Sequence, residues 1–377
     1  MAFPNSLSQK LESRIANGSL RQLVTEHDRV DFSSNDYLGF SRNETINREV
    51  LKHAAQLRHA NGSTGSRLLT GNFELHEEVE GELAGFFEAE SALLFNSGYD
   101  ANIGLLSSVP QRGDLILYDE LCHASIRDGI RLSNATAHGF KHNSIEDLSK
   151  KFLRIKPEHG EIYLVVEAIY SMDGDQAPLV NLVEFSKKFG LRLIVDEAHS
   201  TGVYGENGRG LLSELNVQES VFARIHTFGK AMGCHGAAVL GEIELRNYLI
   251  NFSRSFIYTT AMPLHNVLCV KYALQELRTT NEIDLLRANI LEFKRHMTRY
   301  HLENYFLEST SPIQSYLVSS TATLRSLAEK LKSENFDARP IFTPTVPKGM
   351  ERIRFCVHSY NTSEEIQEIL FLLSTFA

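Results

Sequence analysis

Apolar positions along this chain fall into two alternating patterns. Short continuous runs read as buried strands: Ala92-Leu93-Leu94-Phe95, Leu115-Ile116-Leu117-Tyr118, Ile162-Tyr163-Leu164-Val165-Val166, Leu191-Arg192-Leu193-Ile194-Val195, Arg224-Ile225-His226-Thr227 and Ala237-Ala238-Val239-Leu240. Between them the spacing turns helical. Over residues 72–87, Leu75, Val79, Leu83 and Phe86 share one helical face, with Asn72 as the expected N-cap. Pro178 to Phe189 reads as a short amphipathic helix that Gly190 ends. Continuous apolar strands separated by helices predict an α/β fold, a mostly parallel central sheet covered by helices.

After about residue 280 the texture changes. Leu324, Leu327 and Leu331 form a helical stripe, and Arg352-Ile353-Arg354-Phe355-Cys356-Val357 alternates like a half-exposed strand. Thr362-Ser363-Glu364-Glu365 is a capping box before the apolar face Ile366, Ile369, Leu370 and Leu373. The expected organisation is an N-terminal arm with one amphipathic helix (residues 1–40), a large α/β domain (41–280) and a small C-terminal α+β domain (281–377).

Composition narrows the function classes. The chain has 377 residues, 42% hydrophobic and 23% charged, which is the profile of a soluble globular protein with length for a large core. The net charge of −9 argues against a broad interface with nucleic acid or an anionic membrane. No run approaches the roughly 18 apolar residues of a membrane-spanning helix. The first residues, MAFPNSLSQKLESR, lack the apolar centre of a signal peptide, so a cytoplasmic location is expected. Cys122, Cys234, Cys269 and Cys356 lie far apart with no CxxC pair, which suggests neither a disulfide scaffold nor a metal site.

Open parallel sheets bind ligands beyond the carboxyl ends of their strands. The notable polar residues fall there: Gly98 and Tyr99 after ALLF, His123 after LILYDEL, Ser171 and Asp173 after IYLVVEAIY, Asp196 and His199 after LRLIV, and Thr227 and Lys230 after ARIH. Each alone has a plain structural reading, as a cap, a turn or a solvated charge. Together they describe a binding chemistry. An aspartate can keep an aromatic ring nitrogen protonated, because a neighbouring negative charge favours the cation. His199 can reach the same ring. Gly98 and Tyr99 at a helix start can offer N–H groups to a phosphate, and Ser171 and Thr227 can add hydroxyls. A desolvated Lys230 is a usable amine nucleophile. Ring, phosphate and amine partners together fit pyridoxal 5′-phosphate (PLP) held as a Schiff base.

Eight segments carry a resemblance: DFSSNDYLGFS (31–41), GSTGSRLLTGN (62–72), FNSGYDAN (95–102), DELCHASIRDG (119–129), SMDGDQAPL (171–179), VDEAHSTGVYGENGRG (195–210), HTFGKAMGCHGA (226–237) and FIYTTAMP (256–263). The chain resembles the α-oxoamine synthases, acyltransferases of the fold-type-I PLP class, from about residue 20 to 376. The resemblance implies that Lys230 carries the cofactor, Asp196 meets its ring nitrogen, His199 its ring hydroxyl, and His123 its ring face. Gly98, Tyr99, Ser171 and Thr227 would serve cofactor and phosphate binding. Thr259 and Thr260 match a motif that reaches the phosphate in a neighbouring subunit, so a homodimer with shared active sites is implied. Arg354 matches a grip on the amino-acid carboxylate, Asn35 and Thr345 match substrate contacts, and Arg21 matches an arginine near the acyl-donor entrance. The implied reaction joins an amino acid to an acyl thioester, carried by coenzyme A or a carrier protein, with loss of carbon dioxide. SSNDYLG and VDEAHSTGVYGENGRG lean toward members using L-alanine and a pimeloyl thioester; the alternative is glycine or serine with a different acyl-CoA. Val195-Asp196-Glu197-Ala198-His199 also resembles the DEAH stretch of nucleic-acid-dependent ATPases. No phosphate loop GxxxxGK[ST] precedes it, and Ala231 follows the only Gly-Lys pair.

Overall fold

The structure, a computed structural model, describes residues 3–16, 19–21, 23, 25, 28–59, 61–155 and 159–376. Its strands in chain order are β1 (Val30–Asp31), β2 (Ser91–Phe95), β3 (Leu115–Asp119), β4 (Thr136–Phe140), β5 (Ile162–Glu167), β6 (Arg192–Asp196), β7 (Ala223–Thr227), β8 (Ala237–Gly241), β9 (Ile313–Leu317), β10 (Phe336–Asp337), β11 (Arg339–Ile341) and β12 (Arg352–Cys356).

The large sheet has the order β2-β8-β7-β6-β5-β3-β4. β7, β6, β5, β3 and β4 pair in parallel, and β8 runs antiparallel to both β7 and β2. The α/β expectation is met. Apolar residues such as Leu93, Leu117, Leu164, Ile194 and Ile225 are fully buried, as strands packed on both faces require. Helices Gly98–Ser108, Leu179–Phe189 and Ile243–Phe252 pack against this sheet. Gly190 ends the second of these at φ 70°, a left-handed conformation that costs glycine little. One edge of the sheet gathers the last residues of β2, β7, β6, β5 and β3. Because β8 is reversed, its first residue Ala237 lies opposite both Phe95 and Thr227 on that same edge.

A three-stranded antiparallel sheet, β11-β12-β9, follows in the C-terminal part. Helix Thr321–Ser333 packs on it through Leu324, Leu327 and Leu331. The capping box at Thr362 opens helix Ser363–Ser374, with Thr362 Oγ1 accepting the Glu365 N–H at 3.2 Å. β1 pairs in parallel with β10, Val30 opposite Phe336, which ties the N-terminal segment to this region. Helix Asn5–Ala16 buries no residue.

Two local expectations are corrected. The helix expected to start at Asn72 is Glu74–Phe86, with Phe73 at the cap position. Asn72 is drawn away by Arg67, whose Nε it accepts, and by Glu77, to which its Nδ2 donates at 3.0 Å. The strand expected to be half exposed, β12, is buried throughout. Arg352 is 1% exposed because β12 faces the loop after β5, where Asp173 forms its ion pair.

Candidate active site

A cavity of about 250 Å³ opens at the gathered strand ends. Seven of the residues picked from sequence line it: Gly98, Tyr99, His123, Asp196, His199, Thr227 and Lys230. They come from four strand ends: Gly98 and Tyr99 follow β2, His123 follows β3, Asp196 ends β6 with His199 after it, and Thr227 ends β7 with Lys230 after it. β2 leads to Ser97, whose Oγ caps the next helix by accepting the Asp100 N–H at 3.1 Å. That leaves the first-turn N–H groups of Gly98 and Tyr99 with no acceptor among the described residues. A helix start of this kind favours an anion. A Cβ added at Gly98 would lie 2.5 Å from Thr227 Cγ2, so a side chain there would close the cradle.

Asp196 ends β6. Its Oδ1 accepts the Ala198 N–H at 2.9 Å and its Oδ2 accepts Asn102 Nδ2 at 2.8 Å. His199 is buried, and its Nδ1 meets the Tyr37 hydroxyl at 2.8 Å. Burial and the charges of Lys230 and Arg354 hold this imidazole neutral, well below its ordinary pKa. His123 Nδ1 accepts the Ser125 N–H at 3.2 Å, which leaves the proton of the neutral ring on Nε2. Its pKa is lowered by burial and by Lys230, against the opposing pull of Asp196.

Lys230 follows β7 and is half buried, with no hydrogen bond or ion pair to its ammonium among the described residues. Burial lowers its pKa, while Asp196 and Glu167 pull the other way. Sequence reasoning missed Glu167, the last residue of β5 and part of the cavity wall. It accepts the His123 N–H, and burial together with Asp196 raises its pKa to about 8. Its position at a strand end was a usable signal. Asn102, Ser125 and His235 also line the cavity.

Arg354, Asn35 and Ser171 form an adjoining cluster. Arg354 Nε donates to the Ser171 carbonyl at 2.6 Å, and its Nη2 to Asn35 Oδ1 at 3.0 Å. Tyr37 joins this cluster to the cavity, since its hydroxyl contacts both Asn35 Oδ1 at 3.2 Å and His199. Arg21 and Thr345 lie together, Nη2 to Oγ1 at 3.3 Å, and line neither group. Thr259 and Thr260 are held by Asn96, whose Nδ2 donates to Thr259 Oγ1 at 3.1 Å and to the Thr260 carbonyl at 2.9 Å. Within one chain they stand outside the cavity lining.

This donor set suits a phosphorylated pyridine aldehyde: an unpaired amine, a carboxylate fixed at a strand tip, a neutral imidazole and free N–H groups at a helix start. The model of the aminotransferase class I and II family matches residues 27–371. The chain belongs to that family. Among the family's curated members, an 8-amino-7-oxononanoate synthase from Emericella nidulans is 39% identical over 394 residues, covering 99% of this chain and 95% of that one. A solved serine palmitoyltransferase from S. paucimobilis, with PLP and myriocin bound, superposes with a TM-score of 0.90 at 26% identity, covering 99% of this chain and 96% of that one. An 8-amino-7-oxononanoate synthase from Francisella tularensis superposes at 0.78 with 29% identity, covering 93% and 98%. These are α-oxoamine synthases, and within the aminotransferase class I and II family this chain is one of them, with the fold-type-I architecture.

Proposed function

We propose that this α-oxoamine synthase condenses L-alanine with a pimeloyl thioester, releasing carbon dioxide and the free thiol and giving 8-amino-7-oxononanoate. Its cofactor is PLP and its class of reaction is acyl transfer. The observation that carries the reading is the convergence of Lys230, Asp196, His123 and His199 in one cavity beside the Arg354 and Asn35 cluster.

When bound, PLP supplies an electron sink next to the α-carbon of the amino acid. Lys230 is the residue that would hold the cofactor, and its neutral amine would be the base placed to take the proton from the substrate Cα. Its burial favours the neutral form needed for that step. Asp196 holds a proton on the ring nitrogen, and Asn102 and the Ala198 N–H fix its carboxylate. His199 serves the ring hydroxyl, and Thr227, Gly98 and Tyr99 the phosphate. Arg354 would bind the substrate carboxylate with the N–H groups left after its bonds to the Ser171 carbonyl, Asn35 Oδ1 and Cys356 Sγ, which fixes the bond at Cα that is broken. His123 Nε2–H is the donor for the thioester carbonyl oxygen.

Substitution Arg354→Lys tests the carboxylate grip. Losing a charge-assisted contact worth about 1.5–3 kcal/mol should raise the alanine concentration for half-maximal spectral change ~10–100-fold, with PLP binding little altered.

A serine-using reading has one observation in its favour, the higher TM-score to serine palmitoyltransferase. The 39% identity to the Emericella nidulans protein, against 26%, favours alanine. Purified holoenzyme titrated with alanine, glycine or serine, read by absorbance, decides between them. Pimeloyl-CoA or a pimeloyl carrier protein is then added and the product weighed by mass spectrometry. A response to serine or glycine alone overturns the alanine reading.

The same reading makes the working unit a homodimer in which Thr259 and Thr260 serve the neighbouring subunit's phosphate. The expected compartment is the cytoplasm. Among the described residues no helix is long and apolar enough to cross a membrane.

A further inference from the structure

We propose that His142 is a positioning residue of this active site: its doubly protonated ring clamps the turn that delivers His123 to the loop that supports Arg354. The proposal rests on the functional reading for the roles of His123 and Arg354, and on geometry for the clamp itself.

His142 follows the edge strand β4. Its Nδ1 lies 2.9 Å from Asp119 Oδ1 and its Nε2 lies 2.8 Å from Asp175 Oδ2. Carboxylates only accept, so both ring nitrogens must donate, and only an imidazolium does that. Burial alone would discharge the ring, yet the bonds and charges of Asp119 and Asp175 outweigh it and raise its pKa to about 10. The other groups facing it add no cation. Glu120 accepts the His142 backbone N–H at 3.2 Å, the Tyr170 ring stands edge-on at 4.4 Å, and Glu308 lines the same cleft. Asp173 also comes within ligand range, but Arg352 holds it. With both nitrogens and Asp173 committed, the cluster is an ion-pair network and not a metal site.

Each residue that His142 holds lies in a turn that serves one half of the active site. Asp119 is fully buried at the end of β3. It accepts the Leu121 N–H at 2.9 Å and the Asn143 N–H at 2.8 Å, and its carbonyl accepts the Cys122 N–H at 3.1 Å. That turn ends at His123. Asp175 closes the other loop, its carbonyl accepting the Tyr170 N–H at 3.1 Å. Within the loop the Ser171 carbonyl supports Arg354, and the Met172 carbonyl accepts Arg352 Nη1 at 3.2 Å. Without the cation, two carboxylates face each other with only the neutral Asn143 still bridging them, its N–H donating to Asp119 Oδ2 at 2.8 Å and its Nδ2 to Asp175 Oδ2 at 2.6 Å, and the charge that holds the two loops in register is lost. The acyl-donor side and the carboxylate side then lose their mutual alignment.

The test is made on the holoenzyme with His142→Gln, Asp175→Asn and the double variant. PLP and alanine dissociation constants are read by absorbance, and kcat is measured beside them. Misalignment of this kind should cost about 10–100-fold in kcat and weaken alanine more than PLP. The double variant should be no worse than His142→Gln alone, because both changes break one clamp. Nitrogen-15 shifts of the labelled wild-type histidines should show one ring, lost in His142→Gln, doubly protonated at about pH 8, where a free histidine is neutral. Wild-type-like alanine binding and kcat in His142→Gln, or additive losses in the double variant, would overturn the proposal. So would a His142 ring that titrates near its ordinary value. If His142→Gln does not fold, Asp175→Asn and the ring titration decide. A wild-type chain that answers no amino acid removes the functional reading and this role with it; one that answers normally beside an equally normal His142→Gln removes the clamp alone.

Discussion

Lys230→Ala should abolish turnover while leaving a folded protein that still takes up PLP. The side chain makes no hydrogen bond or ion pair among the described residues, so its removal leaves the surrounding structure intact. Asp196, His199, Thr227 and the Gly98–Tyr99 helix start remain to hold the cofactor non-covalently. On the proposed reading, what disappears is the covalent anchor and the base that moves the Cα proton. Proton transfer by a positioned side chain is alone worth roughly 10²–10⁴-fold, so kcat should fall by at least ~10²-fold. The measurement is steady-state turnover beside far-UV circular dichroism and a cofactor spectrum. A variant with more than a tenth of wild-type turnover would remove Lys230 from its role.

Asp196→Asn should be the next most damaging change. The amide keeps the shape of the side chain, and its oxygen can still accept the Ala198 N–H. It loses the negative charge. An adjacent carboxylate raises the pKa of a cation beside it by about 1–3 units, and each unit lost is a tenfold drop in the protonated fraction. Turnover should therefore fall by about 10–10³-fold, with PLP bound in a shifted spectrum. Near-normal turnover would contradict the assignment of Asp196 to the ring nitrogen.

Much of this arrangement is legible in the chain because the physics is local. β2, β3, β5, β6 and β8 are largely apolar runs, β7 alternates, and the ends of β2, β3, β5, β6 and β7 and the turns after them carry the polar residues of the site. β4 escaped sequence reading: Thr136-Ala137-His138-Gly139-Phe140 is an edge strand, largely half exposed, with a glycine in it. β12 carries two arginines that look solvent-facing, and only the loop holding Ser171 and Asp173 explains their burial. Glu167 was legible in principle, since it ends an apolar run as Asp196 does. The His142 clamp was not. It joins residues of three separate turns, and an isolated histidine after a weak edge strand gives no local sign of two carboxylate partners.

The most direct test of the central claim is reduction of the holoenzyme with borohydride, followed by proteolysis and peptide mapping. The account predicts a single pyridoxyl group, on the peptide that contains Lys230. A pyridoxyl group on another lysine, or none on a protein that carries PLP, would contradict it.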